Sequence, residues 1–275
     1  MNLVDYIQES AVNGGIAVIL TFDLGNANIV MCCVEDGRRL CRFVLSADKA
    51  RTADEYSVVM ALLAKNNGID LSEAHGSIIA SVVPQLTGVV ARAVHLCTGT
   101  YPLIVGPGVK SGLNIRMDTP TELGGDLVAA GVAAVERYPL PCIVIDMGTA
   151  TAVGVIDGKG CYIGGLICPG VSLSQSGLAK SASQLPDVSL ETPKKVIGKN
   201  TRDGMRSGLV YGTAAMLDGV IARVEQELGE HCSVVVTGDS AHEILPCCSR
   251  TDIILDEDLI MRGLWRIFCR NTGKA

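Results

Sequence analysis

At 275 residues the chain is long enough for two domains, each of which can bury a core of its own. Hydrophobic residues make up 48% and charged residues 19%, as in ordered globular proteins. The net charge of -6, without any long Lys/Arg run, argues against a nucleic-acid partner. No apolar run reaches membrane-spanning length, and residues 1–15 lack the basic start of a secretory signal. We expect a cytoplasmic protein with no membrane partner.

Eleven cysteines raise the question of a metal site or of disulfides. None of them forms a Cys-x-x-Cys motif, and the adjacent pairs Cys32-Cys33 and Cys247-Cys248 cannot easily converge on one zinc ion. The cysteines are therefore predicted to be reduced side chains that fill apolar space.

The first half opens with a predicted meander of three strands over 16–22, 29–34 and 39–45. Glu35-Asp36-Gly37 predicts the hairpin turn between the last two strands. The elements that follow are a helix over 52–66, a strand over 76–83, a helix over 86–97 and a strand over 101–105.

The second half repeats this meander after a helix over 127–138, with Asp126 at or near the N-cap of that helix. The predicted elements are a meander over 142–145, 152–156 and 161–166, a helix over 201–228, a strand over 233–237 and a helix over 258–270. The predicted domains are 16–121 and 122–275, preceded by an extension of unknown role at 1–15.

The two meanders share one more feature. The first buried strand of each ends in Asp-x-Gly, at Asp23-Leu24-Gly25 and at Asp146-Met147-Gly148. The glycine lets the backbone turn sharply beside the aspartate. Two copies imply two similar halves that face a shared cleft. Aspartates in a cleft suit Mg²⁺ and phosphate oxygens, since Mg²⁺ takes one or two carboxylates plus substrate phosphates. The sequence therefore predicts a phosphoryl-transfer enzyme.

Further motifs extend this prediction from about residue 16 to residue 271. They are Asp23-Leu24-Gly25-Asn26, Ser81-Val82-Val83-Pro84, Gly106-Pro107-Gly108, Leu123-Gly124-Gly125-Asp126, Asp146-Met147-Gly148-Thr149-Ala150-Thr151, Gly164-Gly165 with Pro169-Gly170, Asn200-Thr201, Thr237-Gly238 and Gly263-Leu264. In this order they resemble the type III pantothenate kinase family, within the superfamily of actin-like ATPases, sugar kinases and acetate kinase. The resemblance implies an α/β fold of two ribonuclease H-like domains, each a mixed sheet flanked by helices, with the active site in the cleft between them.

The resemblance also implies the reaction, which is ATP-dependent phosphorylation of pantothenate to 4'-phosphopantothenate at the start of coenzyme A biosynthesis. Asp126 would be the general base, and Asp23 would act through Mg²⁺. Asp146 would hold a monovalent cation, K⁺ or NH4⁺, and Thr149 would contact ATP phosphates. The residues that would hold ATP in the first half are Asp23, Leu24, Gly25, Asn26, Ala27, Asn28, Ile29 and Val30. Those that would hold pantothenate are Gly124, Gly125, Asp126, Leu127 and Thr201, the last across a homodimer interface.

Simpler interpretations stay open for the same residues. Asp23 and Asp146 could be turn-forming residues at strand ends. Asp126 could be merely a helix N-cap, and Thr201 could cap its own helix, a role that is compatible with contact to the substrate.

Five positions depart from the family pattern. The family's Thr is Ala27 here, its Tyr is Met117, its Arg after the catalytic Asp is Leu127, its acid after Thr-Ala-Thr is Gly154, and its second Gly after Thr is Asp239. Met117 and Leu127 fall at positions associated with pantothenate recognition. Two alternatives to pantothenate kinase therefore stay open, namely a catalytically weak or silent regulatory or binding protein and a kinase for a different small alcohol.

Overall fold

The computed structural model describes residues 18–182 and 184–273. The predicted extension at 1–15 and the first two residues of the predicted strand at 16–22 lie outside the described residues. Contacts between Cα atoms divide the described chain into two compact units. The first comprises 18–112, 121–133 and 258–273, and the second comprises 113–120 and 134–257 without residue 183.

These units interleave along the chain, whereas the sequence predicts two contiguous domains that meet at 121/122. The reason is the last helix, which packs on strands of the first unit. Gly76 has no side chain where the ring of Phe268 lies, and Gly263 likewise leaves room for the backbone of Ala129. These two glycines allow the last helix to pack closely against the first unit. No local sequence pattern predicts this long-range contact.

The described strands and helices have the following bounds. The strands are β1 (Ile19–Leu24), β2 (Asn28–Glu35), β3 (Arg38–Ser46), β4 (Gly76–Ser81), β5 (Leu103–Ile104), β6 (Asn114–Ile115), β7 (Cys142–Met147), β8 (Ala150–Ile156), β9 (Cys161–Pro169), β10 (Ser233–Thr237) and β11 (Ile253–Leu255). The α-helices are α1 (Ala53–Lys65), α2 (Pro84–Thr98), α3 (Gly125–Arg137), α4 (Val171–Ser181), α5 (Thr201–Leu228), α6 (Ala241–Ile244) and α7 (Leu259–Thr272).

The first unit is built on a five-stranded sheet in the order β3-β2-β1-β4-β5. The predicted meander is confirmed, since β2 is antiparallel to both β1 and β3, while β4 runs parallel to β1. The predicted hairpin turn is also confirmed: Asp36 and Gly37 both have positive φ, 46° and 73°, as a two-residue primed turn requires. The ring of Trp265 closes over this turn, 3.1 Å from the position of a Cβ on Gly37.

The two faces of the first sheet bury different partners. Leu20, Phe22 and Leu24 point into a core shared with residues of α1 and α2, and Phe22 and Leu24 are fully buried. Full burial of one such side chain stabilises the fold by about 1.5–3 kcal/mol. The other face includes Cys32 and Val34, which pack with Met261 of α7. Because side chains alternate along a strand, Asp23 lies on this second face.

The second unit repeats the first with one strand added. Its six-stranded sheet has the order β11-β10-β7-β8-β9-β6, so that β7, β8, β9, β10 and β11 take the places of β1 to β5. The strand directions agree as well, with an antiparallel β7-β8-β9 meander and with β10 parallel to β7. The predicted architecture of two mixed sheets flanked by helices is therefore confirmed.

The long helix α5 covers one face of the second sheet. Ile143 and Ile145 of β7 pack there with Leu217 and Ile221, and all four side chains are at most 1% exposed. The predicted helix over 201–228 has the observed bounds. The sequence analysis missed α4 and the short strands β6 and β11, because five of the eleven residues of α4 are Ser or Gly and the strands are too short for a periodic pattern.

All eleven cysteines are free thiols in the described structure, and six of them are buried. Within residues 18–182 and 184–273, no helix is both long and apolar enough to cross a membrane.

Candidate active site

The start of α3 is seated on the carboxyl end of β4 in the first unit. A Cβ on Gly125 would lie 3.3 Å from Cβ of Val105 and 3.5 Å from Cα of Ala80. A side chain on Gly124 would overlap Oδ1 of Asp126. Two consecutive glycines therefore let the helix begin close to the sheet and leave room for the Asp126 carboxylate over its own turn.

The carboxylate of Asp126 has the environment of a proton acceptor. Its Oδ1 accepts a hydrogen bond from the N–H of Leu127 at 2.8 Å. Burial raises the pKa of Asp126 above the usual value, and the hydrogen bond only partly opposes this effect. A raised pKa makes the carboxylate a stronger base, which suits it to accept a proton.

The interpretation of Asp126 as merely a helix N-cap fits the structure poorly. An N-cap side chain accepts a hydrogen bond from the N–H two or three residues further on. Asp126 instead lies inside α3, which begins at Gly125, and it bonds the N–H of the very next residue.

Asp23 lies near Asp126 in the first unit. On β1 it is directly opposite Ala80 of β4, the residue that contacts Gly125. Residues directly opposite one another in a sheet share a face, and Asp23 and Ala80 share the face that α7 covers. The two predicted functional aspartates are thus brought to one face, at the carboxyl ends of β1 and β4.

The turn between β1 and β2 is closed by a hydrogen bond from the N–H of Gly25 to the carbonyl of Asn28, at 2.9 Å. The side chains of Leu24 and Ile29, both predicted to bind ATP, are fully buried in the core, so only their backbone groups can face a ligand. Ala27 is exposed, and its carbonyl accepts the N–H of Ala47 at 2.9 Å.

In the second unit Asp146 holds the position on β7 that Asp23 holds on β1. It is the fifth residue of its strand and lies between Ala152 of β8 and Thr237 of β10. The residue that follows Thr237 is Gly238, whose φ is +103° and whose Cβ would lie 2.6 Å from the backbone nitrogen of Met147. No other residue type fits this close approach without strain.

The turn after β7 is also held by the start of α4. Gly170, the N-cap residue of α4, donates its N–H to the carbonyl of Thr149 at 3.2 Å. A side chain on Gly170 would overlap that same carbonyl oxygen. Thr149 itself is exposed, whereas Thr151 of the same motif is fully buried. This part of the site therefore offers backbone groups and one hydroxyl, as binding of phosphate oxygens requires.

Thr201 is the first residue of α5 and is exposed. The N-cap is Asn200, whose side chain accepts the N–H of Asp203 at 2.9 Å. The alternative that Thr201 caps its own helix is therefore wrong.

One departure from the family pattern has a local physical reason. A Cβ on Gly154 would lie 2.6 Å from the hydroxyl oxygen of Tyr162 on the neighbouring strand. Tyr162 is 2% exposed and fills the space that an acidic side chain at 154 would need. Nothing in the structure explains Asp239, which follows Gly238.

The donors around Asp23, and separately those around Asp146, fit Mg²⁺ or another hard cation when a bound ligand supplies the remaining oxygen atoms. Among the described residues, no group of three or more His, Cys, Asp and Glu side chains is placed to hold a metal ion. Mg²⁺ commonly takes one or two carboxylates and completes its shell with waters and substrate phosphates, so single aspartates suit it.

Helices α4 and α5 of the second unit line a groove of about 810 Å³. Leu173 and Leu178 on α4 are 50% and 41% exposed. On the α5 side, Gly208 and Gly212 face open space, with no atom within 4 Å of their Cβ positions. The groove is therefore apolar and open.

The two duplicated sheets, with an aspartate at the same place on each first strand, define a two-fold repeat of one α/β unit. Solved structures with this fold include a protein of the Baf transcriptional-activator family from Campylobacter jejuni. It has a TM-score of 0.58 and 18% identity, and the match covers 92% of this chain and 99% of that one. The ethanolamine utilization protein EutJ from Carboxydothermus hydrogenoformans gives a TM-score of 0.52 at 14% identity, with 97% and 98% covered. At such identities the likeness concerns the fold alone.

Sequence comparison identifies the family. Residues 19–223 match the family described as type III pantothenate kinase. The type III pantothenate kinase of Moorella thermoacetica is 40% identical over 258 residues, which are 93% of this chain and 100% of that protein. That of Geobacter sulfurreducens is 39% identical over 255 residues, with 92% and 99% covered. The chain belongs to the type III pantothenate kinase family.

The sequence analysis missed the residues that position Asp126. Ala80 and Val105 are small enough for Gly125 to approach the sheet, and Phe268 and Gly263 bring the last helix to the same unit. The pair Gly124-Gly125 is the one local signal of this close approach, because two glycines just before a helix point to crowding there.

Proposed function

We propose that this protein transfers the γ-phosphoryl group of ATP to the primary hydroxyl of pantothenate and forms 4'-phosphopantothenate for coenzyme A biosynthesis. The observation that carries the proposal is a match to curated type III pantothenate kinases over their whole length, at up to 40% identity. The arrangement of Asp126 and Asp23 on one face of the first sheet supports it, because phosphoryl transfer needs a proton acceptor and a group that acts on the phosphates.

Asp126 is the proposed general base. It would accept the proton of the acceptor hydroxyl as the phosphoryl group arrives, and its raised pKa supports this role. Gly124 leaves the space that the carboxylate occupies, since a side chain there would overlap its Oδ1.

Asp23 and the turn that follows it are proposed to bind the ATP phosphates, through backbone N–H groups and through Mg²⁺. The bound Mg²⁺ would neutralise charge on the phosphate oxygens. The chain's part is to orient the nucleotide, and the closed turn from Gly25 to Asn28 gives it a fixed backbone on which to do so.

Asp146 is proposed to hold a monovalent cation, K⁺ or NH4⁺, and Thr149 to contact ATP phosphates. The support for Asp146 is its position, which repeats that of Asp23 on the equivalent strand. The support for Thr149 is its exposure, on a turn whose backbone packs closely against Gly170 and Gly238.

The pantothenate site is proposed to include Gly124, Gly125, Leu127 and Thr201. Leu127 replaces an arginine of the family pattern and cannot make a charge-assisted hydrogen bond to a carboxylate, a bond that contributes about 1.5–3 kcal/mol. A kinase for a different, more apolar alcohol is therefore a second candidate, and Leu127 is the observation that favours it.

The protein is further proposed to be a homodimer, joined through the groove between α4 and α5. Exposed Leu173 and Leu178 beside open Gly208 and Gly212 give this face the apolar character of a subunit interface. In analytical ultracentrifugation, Leu173→Glu should convert a dimer into a monomer, whereas Leu62→Glu, at an exposed position of α1, should not. A wild-type monomer at micromolar concentration would contradict this part of the proposal.

We place the protein in the cytoplasm. Eleven free thiols support this location, because reducing compartments preserve free cysteines.

The deciding experiment is ATP turnover by the purified protein with Mg²⁺ and either K⁺ or NH4⁺, with and without pantothenate, with the product identified by mass. Pantothenate-dependent ADP release with 4'-phosphopantothenate formed is the expected result. Turnover with other small alcohols but not with pantothenate would favour the second candidate. ATP binding without turnover on any alcohol would favour a regulatory or binding protein.

A further inference from the structure

Two cysteines of the first unit face each other across neighbouring antiparallel strands. Cys33 of β2 is directly opposite Cys41 of β3. Directly opposite residues in an antiparallel pair have Cα atoms about 4.5–5.5 Å apart, within the range that a disulfide spans. They also project to the same face of the sheet, and both side chains belong to the core beneath α1 and α2.

The strand pairing beside these two residues is irregular. The register shifts between Cys33 and Val34, so that Leu40 of β3 is the extra residue of a bulge. A bulge leaves one residue unpaired and interrupts the ladder, which gives the backbone beside Cys41 room to adjust to a new bond.

The two thiols differ in access and in acidity. Cys41 is 8% exposed, whereas Cys33 is fully buried. Hydrogen-bond donation by the neighbouring Cys33 thiol would stabilise a Cys41 thiolate, which lowers the pKa of Cys41. The same effect, together with burial, raises the pKa of Cys33. Of the two, Cys41 is thus the thiol that forms a thiolate more readily and that is less completely buried.

We propose that Cys33 and Cys41 are a redox-responsive pair that forms a reversible cross-strand disulfide when a small hydroperoxide reacts with Cys41. The Cys41 thiolate attacks one peroxide oxygen, which yields a sulfenic acid and, after protonation, water. The Cys33 thiol then attacks the Cys41 sulfur, the S–S bond forms, and a second water leaves. Two thiols and one hydrogen peroxide thus give one disulfide and two waters, with each sulfur oxidised by one electron.

The test is peptide mapping of the folded wild-type protein after treatment with hydrogen peroxide and alkylation of the remaining thiols. Trypsin cleaves after Arg38, Arg39 and Arg42, so Cys41 lies in the tripeptide 40–42 and Cys33 in the peptide 1–38. We expect these two peptides to be linked, with a mass lower by two hydrogen atoms, and we expect dithiothreitol to release them.

Cys32 provides a matched control, because it is adjacent to Cys33 but packs on the opposite face with Met261. Cys32→Ser should keep the cross-link, and both Cys33→Ser and Cys41→Ser should lose it, with circular dichroism as the check of folding. The proposal is overturned if Cys41 stays a free thiol in wild type while other cysteines oxidise, if Cys41 oxidises without a cross-link, or if the cross-link persists in Cys33→Ser.

Discussion

The two strand-turn copies around Asp23 and Asp146 share one local structure but differ in their surroundings. Both strands have six residues, with the aspartate fifth and partly exposed between buried neighbours. Beside β1 and β4 lies the start of α3 with Asp126. Beside β7 and β10 lie Gly238 and Gly170, the N-cap residue of α4, and neither α4 nor β10 carries an acidic side chain.

We expect this difference to let one duplicated scaffold serve two purposes. The strand and its Asp-x-Gly turn place an aspartate at the end of a sheet in both units. The surroundings then differ, since in the first copy the carboxylate of Asp126, whose pKa is raised by burial, lies at the start of the helix that packs beside the strand. We therefore expect the first copy to supply the proton acceptor and the second to supply binding groups alone.

The largest effect is expected from Asp126→Asn. The change keeps the size of the side chain but removes its basicity, so kcat should fall by about 10²- to 10⁴-fold. ATP affinity, measured by calorimetry, should stay within a factor of a few. Asp70→Asn, which alters an exposed capping aspartate, is the matched control and should leave kcat unchanged. An unchanged kcat in Asp126→Asn would show that Asp126 is not the general base, and the proposed functional difference between the two copies would then be wrong.

Replacing the two duplicated aspartates in turn tests whether the copies do different work. Asp23→Asn should lower kcat by about 10²- to 10³-fold at any cation concentration, as loss of electrostatic stabilisation of the phosphates does. Asp146→Asn should mainly raise the K⁺ or NH4⁺ concentration needed for half-maximal rate. Titration of each variant with the monovalent cation separates the two outcomes. Identical cation dependence in both variants would mean that the copies are equivalent.

Replacing Leu127 with the arginine of the family pattern tests whether the residue beside Asp126 binds the acceptor alcohol. Leu127→Arg should lower the KM for pantothenate by about 10- to 100-fold, since a charge-assisted bond contributes about 1.5–3 kcal/mol. Leu127→Met, which adds no charge, is the control. A KM that is unchanged or higher in Leu127→Arg would mean that the pocket has been rebuilt around leucine.

The glycine contacts of the second copy can be broken without touching any aspartate. Gly170→Ala forces a methyl group onto the carbonyl of Thr149, which should cost about 1–3 kcal/mol in the free energy of unfolding and weaken ATP binding. Gly88→Ala lies on the exposed face of α2 in open space and should be neutral or stabilising by up to about 1 kcal/mol. Urea unfolding of both variants measures the difference, and equal stabilities would refute the close contact.

The smallest effect concerns pH and is confined to the first copy. Because burial raises the folded-state pKa of Asp126, its protonated form favours folding, and this stability is lost as pH rises through that pKa. Asp126→Asn should therefore melt at a higher temperature than wild type near neutral pH, and the difference should vanish below the ordinary carboxyl pKa. Loss of wild-type kcat on acidification should likewise begin at a higher pH than an ordinary carboxylate gives. A melting difference that does not vary with pH would contradict the raised pKa.

Much of the fold was readable from the sequence because its signals are local. Alternation and turn residues gave both meanders and the primed turn at Asp36-Gly37, and the helix over 201–228 was predicted to the residue. The short strand β11 and the Ser/Gly-rich α4 were missed, since neither offers an apolar period. For the site, the motifs indicated Asp23, Asp126 and Asp146. They did not reveal that Leu24 and Ile29 are buried in the core or that Asn200 caps α5 in place of Thr201.

The sequence by itself determined the duplicated strand-turns, the family and the candidate base, because each depends on residues that are close together along the chain. Only the tertiary structure decided that α7 belongs to the first unit and that Tyr162 excludes a side chain at 154. It also decided that Gly125 contacts Ala80, the residue directly opposite Asp23. It also decided that Cys33 and not Cys32 faces Cys41. These outcomes depend on contacts between distant segments, and close packing fixes such contacts without leaving a periodic trace in the sequence.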